Sequence, residues 1–256
     1  MKRVFLALFL VFPVFVSYSQ AQRTRRSAVP VKKPVVQNPA APRENANTAI
    51  IVDERLAVVR AEPSLYAKPL QRMRRGRIIS ISGEKEADGV RFYRVNLSAE
   101  GGGWMQTEAV VGRFRRGDDE RLARLVQSSE GFDQIERATI FFENFPRSPL
   151  RPAMLLLFGD LVEGIAAAIS RDATRRLSRR EMAATGAPIY SFYLNYSSLD
   201  RYRRLGIGFV FNSETKTFHY DGAAWKEILT KFPKSSEAAE AQKRLDSLKE
   251  KMARKI

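Results

Sequence analysis

Two hydrophobic rhythms divide the chain. From residue 50 to 112 the apolar positions come in short, β-branched or alternating runs. They are IIV (50–52), LAVVR (56–60), RIISIS (77–82) and FYRVNL (92–97), separated by Gly76, Gly83, Gly89 and the Gly101–Gly103 run. A period of two with glycine punctuation predicts strands and turns, and no helical stripe of useful length interrupts it. Five or six such strands in so short a stretch predict a small barrel or sandwich. FYRVNL sets Tyr93, Val95 and Leu97 on one face and Phe92, Arg94 and Asn96 on the other.

From residue 118 the apolar positions recur every three to four residues, the helical rhythm. Asp118 and Asp119 are good N-caps for a first helix. FDQIERATIFFENF predicts a second, with Ile135, Ala138, Phe141 and Phe142 on one side. Pro146 ends it, because the residue before a proline is pushed out of the α region. Ser148 with Pro149 then predicts the cap and first residue of a long, very apolar helix, PLRPAMLLLFGDLVEGIAAAIS. The same logic returns near the C-terminus. GAAWKEILTKF stripes Trp225, Ile228, Leu229 and Phe232, Pro233 stops it, and Ser235 or Ser236 caps a helix with Ala238, Ala241, Leu245 and Leu248 on its apolar face. The shared Phe-Pro-basic-Ser core of NFPRS and KFPKS thus predicts one helix-hairpin turn used twice. Between the copies, RDATRRLSRREMAATG (171–186) predicts a basic helix, and GIGFVFNSETKTFHYDG a β-hairpin turning at Asn212–Thr215.

Ahead of both halves stands a different kind of sequence. MKR followed by VFLALFLVFPVFV and SYSQA predicts an export signal over residues 1–21, cleaved before Gln22. Its apolar run is too short, and too interrupted by Pro13, for a membrane span. Residues 22–48, with four prolines and no aromatic, predict a disordered basic linker. The expected location is periplasmic or secreted. The chain has no cysteine, which excludes disulfides, thiolate catalysis, thiolate metal sites and a lipoprotein anchor.

The formal charge of +16 invites a nucleic-acid reading, but its distribution argues against one. Residues 22–49 carry six Lys or Arg against one acid, and 113–117 carry three Arg and no acid, whereas 50–112 and 118–256 are nearly balanced. More than half of the mature chain's excess lies in tails and hinges, which suits anionic envelope polymers or lipid headgroups better than a duplex.

Four ordered features of 56–111 resemble the bacterial Src-homology-3 (SH3-like) domain. They are VRAEPS, the basic turn PLQRMRRGRIISI, the aromatic-led strand FYRVNL and the closing GGWMQTEAV. The chain departs from that pattern at Glu62, where glycine is usual, and at Arg91-Phe92, where Gly-Trp often begins the strand. The helix pairs resemble, more loosely, tetratricopeptide-like repeats. The fold expected is therefore α plus β, with an SH3-like barrel at 49–112 and a helical repeat domain at 118–256 that carries a β-hairpin insertion.

Candidate chemistry is sparse. His219 is the only histidine, so no metal-ligand set can be assembled around it, and Asp221 is its nearest acid in sequence. No nucleophile elbow or phosphate loop is present, and neither a cofactor nor catalysis is expected. Tyr66, Phe92, Tyr93 and Trp104 are the candidates for an aromatic ligand groove. Arg175, Arg176, Arg179 and Arg180 recur at helical spacing, and Tyr196, Tyr202 and Arg203 have the composition of interface hot spots. The function expected is a non-enzymatic envelope adaptor, taking a peptidoglycan-type or peptide ligand on the barrel and a protein partner on the helices. The alternatives are an accessory or weak hydrolase with its site in 186–222, and a polyanion or membrane-surface binder using the basic segments.

Overall fold

The computed structural model describes residues 47–97 and 101–254. The export signal and nearly all of the expected linker lie outside the described residues. Residues 48 to 111 form seven strands, β1 (Thr48–Ile51), β2 (Val58–Arg60), β3 (Pro69–Arg72), β4 (Ile78–Ala87), β5 (Val90–Leu97), β6 (Gly101–Gln106) and β7 (Val110–Val111). They pair antiparallel in one sheet of order β3-β2-β6-β5-β4-β1-β7. Eight α-helices and a two-stranded hairpin follow among the described residues, so the architecture is mixed α and β.

The alternation that predicted strands also explains how the sheet joins the helices. Ile51 points into the sheet's own core with Val59, Met73, Ile79, Val95 and Met105. Its neighbours Ile50 and Val52, and Val111 on β7, point the other way into the helical core. A strand buried on both faces reads as a continuous apolar run, which is why IIV shows no polar position.

The Gly101–Gly103 run, read as a turn between strands, is instead the start of β6. Gly103 has no room for a side chain, since a Cβ there would overlap Val59 and the Arg60 carbonyl of the adjacent strand. The PLQR stretch, read as a turn, forms the edge strand β3.

The helices are α1 (Asp118–Gln127), α2 (Gly131–Asn144), α3 (Arg151–Arg176), α4 (Arg179–Ala184), α5 (Ile189–Leu194), α6 (Asp200–Arg203), α7 (Ala223–Lys231) and α8 (Ala238–Ala253), with β8 (Phe209–Asn212) and β9 (Thr217–Tyr220) between α6 and α7. By length and composition α3 could cross a membrane. Here Met154, Leu155, Phe158, Val162, Ala166, Ile169 and Ala173 are buried along it in the helical core, and it packs on α7 and β9.

The two Phe-Pro breaks are one structural unit. In the first, the Phe145 N–H donates to Phe141 (2.9 Å), Ser148 to Phe145 (3.1 Å) and Arg151 to Ser148 (3.1 Å). In the second, Phe232 donates to Ile228 (2.8 Å), Ser235 to Phe232 (3.0 Å) and Ala238 to Ser235 (3.2 Å). The helices consequently start later than the serines suggested, at Arg151 and Ala238. The backbone first spends one turn reversing direction, and the Ser148 hydroxyl donates to Asp119 (2.7 Å). The basic stretch 171–186 is also not one helix. It breaks at Leu177–Ser178, where the Ser178 hydroxyl accepts from the Glu181 N–H (3.3 Å) and caps α4.

Candidate functional site

The chain leaves the sheet through Gly112 and the basic turn Arg113–Gly117. Gly112 allows Phe114 to fold back across it, because a Cβ at 112 would overlap the Phe114 ring. Phe114 then meets Tyr93 of β5 edge-on, with ring centroids 5.9 Å apart and planes at 72°. This pair stands in a cleft of about 550 Å³ bordered by Ile81, Glu84, Arg91, Arg115 and Arg116. That size suits a short extended ligand.

The charges around the cleft have different duties. The Arg115 guanidinium donates to Asp118 (2.7 Å) and to the carbonyls of Thr107 and Val110, so it is committed to holding the sheet-to-helix junction. Arg91 lies 3.6 Å from Glu84, both half in solvent. Exposed Arg116 makes no hydrogen bond or ion pair among the described residues. Burial raises the Tyr93 hydroxyl above its ordinary value, against the pull of nearby Arg115, so it stays a protonated donor at neutral pH. Tyr93 itself is only 6% exposed and belongs to the sheet core, so the cleft presents mainly the 41%-exposed Phe114 ring and the exposed guanidiniums of Arg91 and Arg116.

The four residues expected to line a groove are not brought together. Tyr93 pairs with Met105 across β6 while Trp104 pairs with Arg94, so the alternation turns Tyr93 and Trp104 to opposite faces. Phe92 is fully buried and cannot meet a ligand. Tyr66 is 88% exposed in the turn between β2 and β3, away from the Tyr93 cleft. Trp104 is half-buried between the paired positions Arg60 and Arg94. The residues that complete the Tyr93 cleft, Phe114 and Arg116, carry one faint sequence signal, an aromatic set among the arginines of GRFRRG.

The expected partner surface also divides. Tyr196 and Tyr202 are buried and serve packing. The Tyr196 hydroxyl donates to Asp172 (2.5 Å), and Tyr202 packs edge-on against Phe132 and Phe209. A tyrosine count could not separate these from surface tyrosines, because burial depends on residues far away in sequence. Arg175, Arg176, Arg179 and Arg203 are exposed.

His219 stands in β9, within a hydrogen-bonded chain that sequence could not foresee. Its Nδ1 lies 2.9 Å from Glu163 of α3, and its Nε2 lies 3.1 Å from the Thr217 hydroxyl, which is 2.6 Å from Thr215. Lys251 of α8 donates to the same Glu163 oxygen (2.7 Å), and the Tyr220 N–H to the other (2.8 Å). Burial pushes the Glu163 carboxyl up, but the bonds from His219, Lys251 and Tyr220 outweigh it and bring the pKa down to about 2. A carboxylate held below its ordinary value of 4.5 stabilises the fold above that pH, and this contribution is lost as pH falls from about 4.5 toward 2. Glu163→Gln is therefore expected to reduce stability at neutral pH and to flatten the acid limb of an unfolding-midpoint-against-pH curve. A variant curve parallel to wild type through that window would show that Glu163 does not drive it.

A further cleft of about 390 Å³ lies on the sheet at Leu56, Glu86, Val90, Arg91, Gln106 and Glu108, and two more adjoin the helices. One, of about 220 Å³, runs between α2, α3, the 205–208 turn and α7, with the Arg151–Glu227 ion pair (2.7 Å) on its wall. The other, of about 310 Å³, lies where Asp53, Arg55 and Arg75 of the sheet region face Asp133 and Arg137 of α2. Neither His219 nor Tyr66 lines any of these four clefts.

Comparison with family models, with curated proteins and with solved structures gave no match. The functional reading rests on the geometry of this chain.

Proposed function

We propose that the chain is an exported, non-enzymatic envelope adaptor whose sheet, SH3-like in character, binds the carboxylate-bearing peptide of a cell-wall polymer in the Tyr93–Phe114 cleft. The helix pairs, in the manner of tetratricopeptide-like repeats, then serve as the protein-docking half. The observation that carries this reading is the aromatic pair beside outward-facing Arg91 and Arg116. The exposed Phe114 ring, backed by Tyr93, gives an extended peptide an apolar contact, and each guanidinium can take a carboxylate in a charge-assisted, bidentate contact. The glutamate–histidine–threonine chain favours a second reading, an accessory or weak hydrolase. Against it, His219 lines none of the four clefts.

The test is retention of residues 22–256 on purified peptidoglycan, with soluble peptide fragments of the wall as competitors. The double variant Phe114→Ser with Arg116→Gln should bind roughly tenfold more weakly or worse, the loss of one charge-assisted contact and one ring. Both side chains are exposed, so an unchanged circular dichroism spectrum is expected alongside. Equal retention of variant and wild type, or no retention of wild type, would overturn the reading.

A further inference from the structure

We propose that the surface built by the end of α3 with α4, α5 and α6 is a docking face for an anionic lipid bilayer, independent of the wall-binding cleft. On α5, Tyr193 is buried and stacks on Phe211 of β8 with ring centroids 5.0 Å apart. Ile189, Tyr190 and Leu194, which flank it on the same side of this short helix, are exposed by 48%, 52% and 40%. Three large apolar side chains on one six-residue helix thus keep about half their surface in solvent, and an exposed apolar cluster of this kind marks a contact surface.

The cations around it are of one kind. Residues 171–204 hold eight arginines, no lysine and three acids, Asp172, Glu181 and Asp200. Arg175 and Arg176 end α3, and Arg179 and Arg180 begin α4 after the Ser178 break, all four exposed. Asp172 is already taken by Arg175 (3.2 Å), Arg176 (2.9 Å) and the Tyr196 hydroxyl, so it offers little repulsion to an incoming anion. Bonds tie the parts into one surface. Asp172–Tyr196 joins the end of α3 to the turn after α5, and Arg203 of α6 donates to the Leu194 carbonyl (2.7 Å), directly beside the apolar cluster.

The chemistry favours a bilayer over an acidic protein. Guanidinium takes phosphodiester oxygens in a bidentate fork, where lysine would present only a point charge. Tyrosine favours the headgroup boundary, and isoleucine and leucine can enter the acyl edge beside it. None of the three exposed apolar residues lines any of the four clefts.

The experiment is vesicle flotation of residues 22–256 with mixed phosphatidylglycerol and phosphatidylethanolamine, against pure phosphatidylcholine. Wild type should float with the anionic vesicles alone. Each arginine near such a surface is worth about fivefold in partitioning, so Arg179→Gln with Arg180→Gln should weaken flotation at least tenfold. Ile189→Ser, Tyr190→Ser and Leu194→Ser together should do the same without altering the circular dichroism spectrum. Tyr190→Trp adds a direct readout, a blue shift of the added indole emission on anionic vesicles. Flotation unchanged by both sets of variants would assign the binding to the basic segment before residue 44 and overturn the proposal. Capture by a soluble phosphate polymer with no blue shift on vesicles would also overturn it, in favour of a polyanion.

Discussion

Trp225→Ala is expected to cost the fold about 3–5 kcal/mol, a large share of the stability of a typical domain. Trp225 is 1% exposed on α7 and lies across Gly159 of α3, where a Cβ would overlap the indole. It also meets Tyr220 of β9 edge-on, with centroids 5.3 Å apart. One side chain thus fills the space where α3, α7 and the hairpin converge, and its removal leaves a cavity that three separate elements would have to move to close. Trp225→Phe supplies the control. The indole Nε1 is buried without a hydrogen-bond partner among the described residues, and phenylalanine removes that unpaired donor while keeping most of the ring. The phenylalanine variant should therefore lose clearly less than the alanine variant in urea denaturation. Equal losses would mean that the cost lies in shape alone and that the unpaired donor is immaterial.

Asp118→Ala is expected to destabilise by a similar amount, about 3–5 kcal/mol, for an electrostatic reason. Asp118 opens α1 but faces sideways, with its side chain only 3% exposed. It accepts from the Gly112 N–H (2.8 Å), Arg115 Nε (2.7 Å) and Arg121 Nε (3.1 Å). Both arginines also donate to the Val110 carbonyl of β7. The carboxylate is the one anion among these partners that holds both guanidiniums against the end of the sheet. Removing it leaves two partly buried cations facing each other and an unpaired backbone N–H. Asp118→Asn, which keeps an acceptor and the shape, should lose less. A loss below about 1 kcal/mol for the alanine variant would show that the carbonyls of Thr107, Glu108 and Val110 satisfy the arginines without it.

The change of rhythm near residue 112, from period two to three or four, was legible in the sequence and matches the passage from β7 to α1. So was the hairpin at 209–220, although its turn falls at 213–216, one residue later than the Asn212–Thr215 signal, with Asn212 ending β8 opposite Thr217. The twin Phe-Pro breaks were legible as well, because a proline and the residue before it constrain the backbone wherever they occur. Helix starts were misjudged at Ser148 and Ser235 for a related reason. A serine two residues after a proline is an equally good residue for a turn, and only the hydrogen bonds of the folded chain tell which role it takes.

The candidate sites were less legible. Aromatic content pointed to Phe92, Trp104, Tyr196 and Tyr202, yet Phe92, Tyr196 and Tyr202 are buried and Trp104 lies on the face opposite Tyr93. Phe114 reaches Tyr93 from 21 positions further along the chain, and Glu163 reaches His219 across 56. Periodicity, capping and turn chemistry act between residues a few positions apart, so the sequence alone determined where strands, helices and reversals lie. Which apolar face is covered, which carboxylate meets which base and which arginine is left outward depend on contacts between distant segments. Those were decided only when β1 and β7 turned one face toward α1 and α2, and when α3 took Trp225 against Gly159.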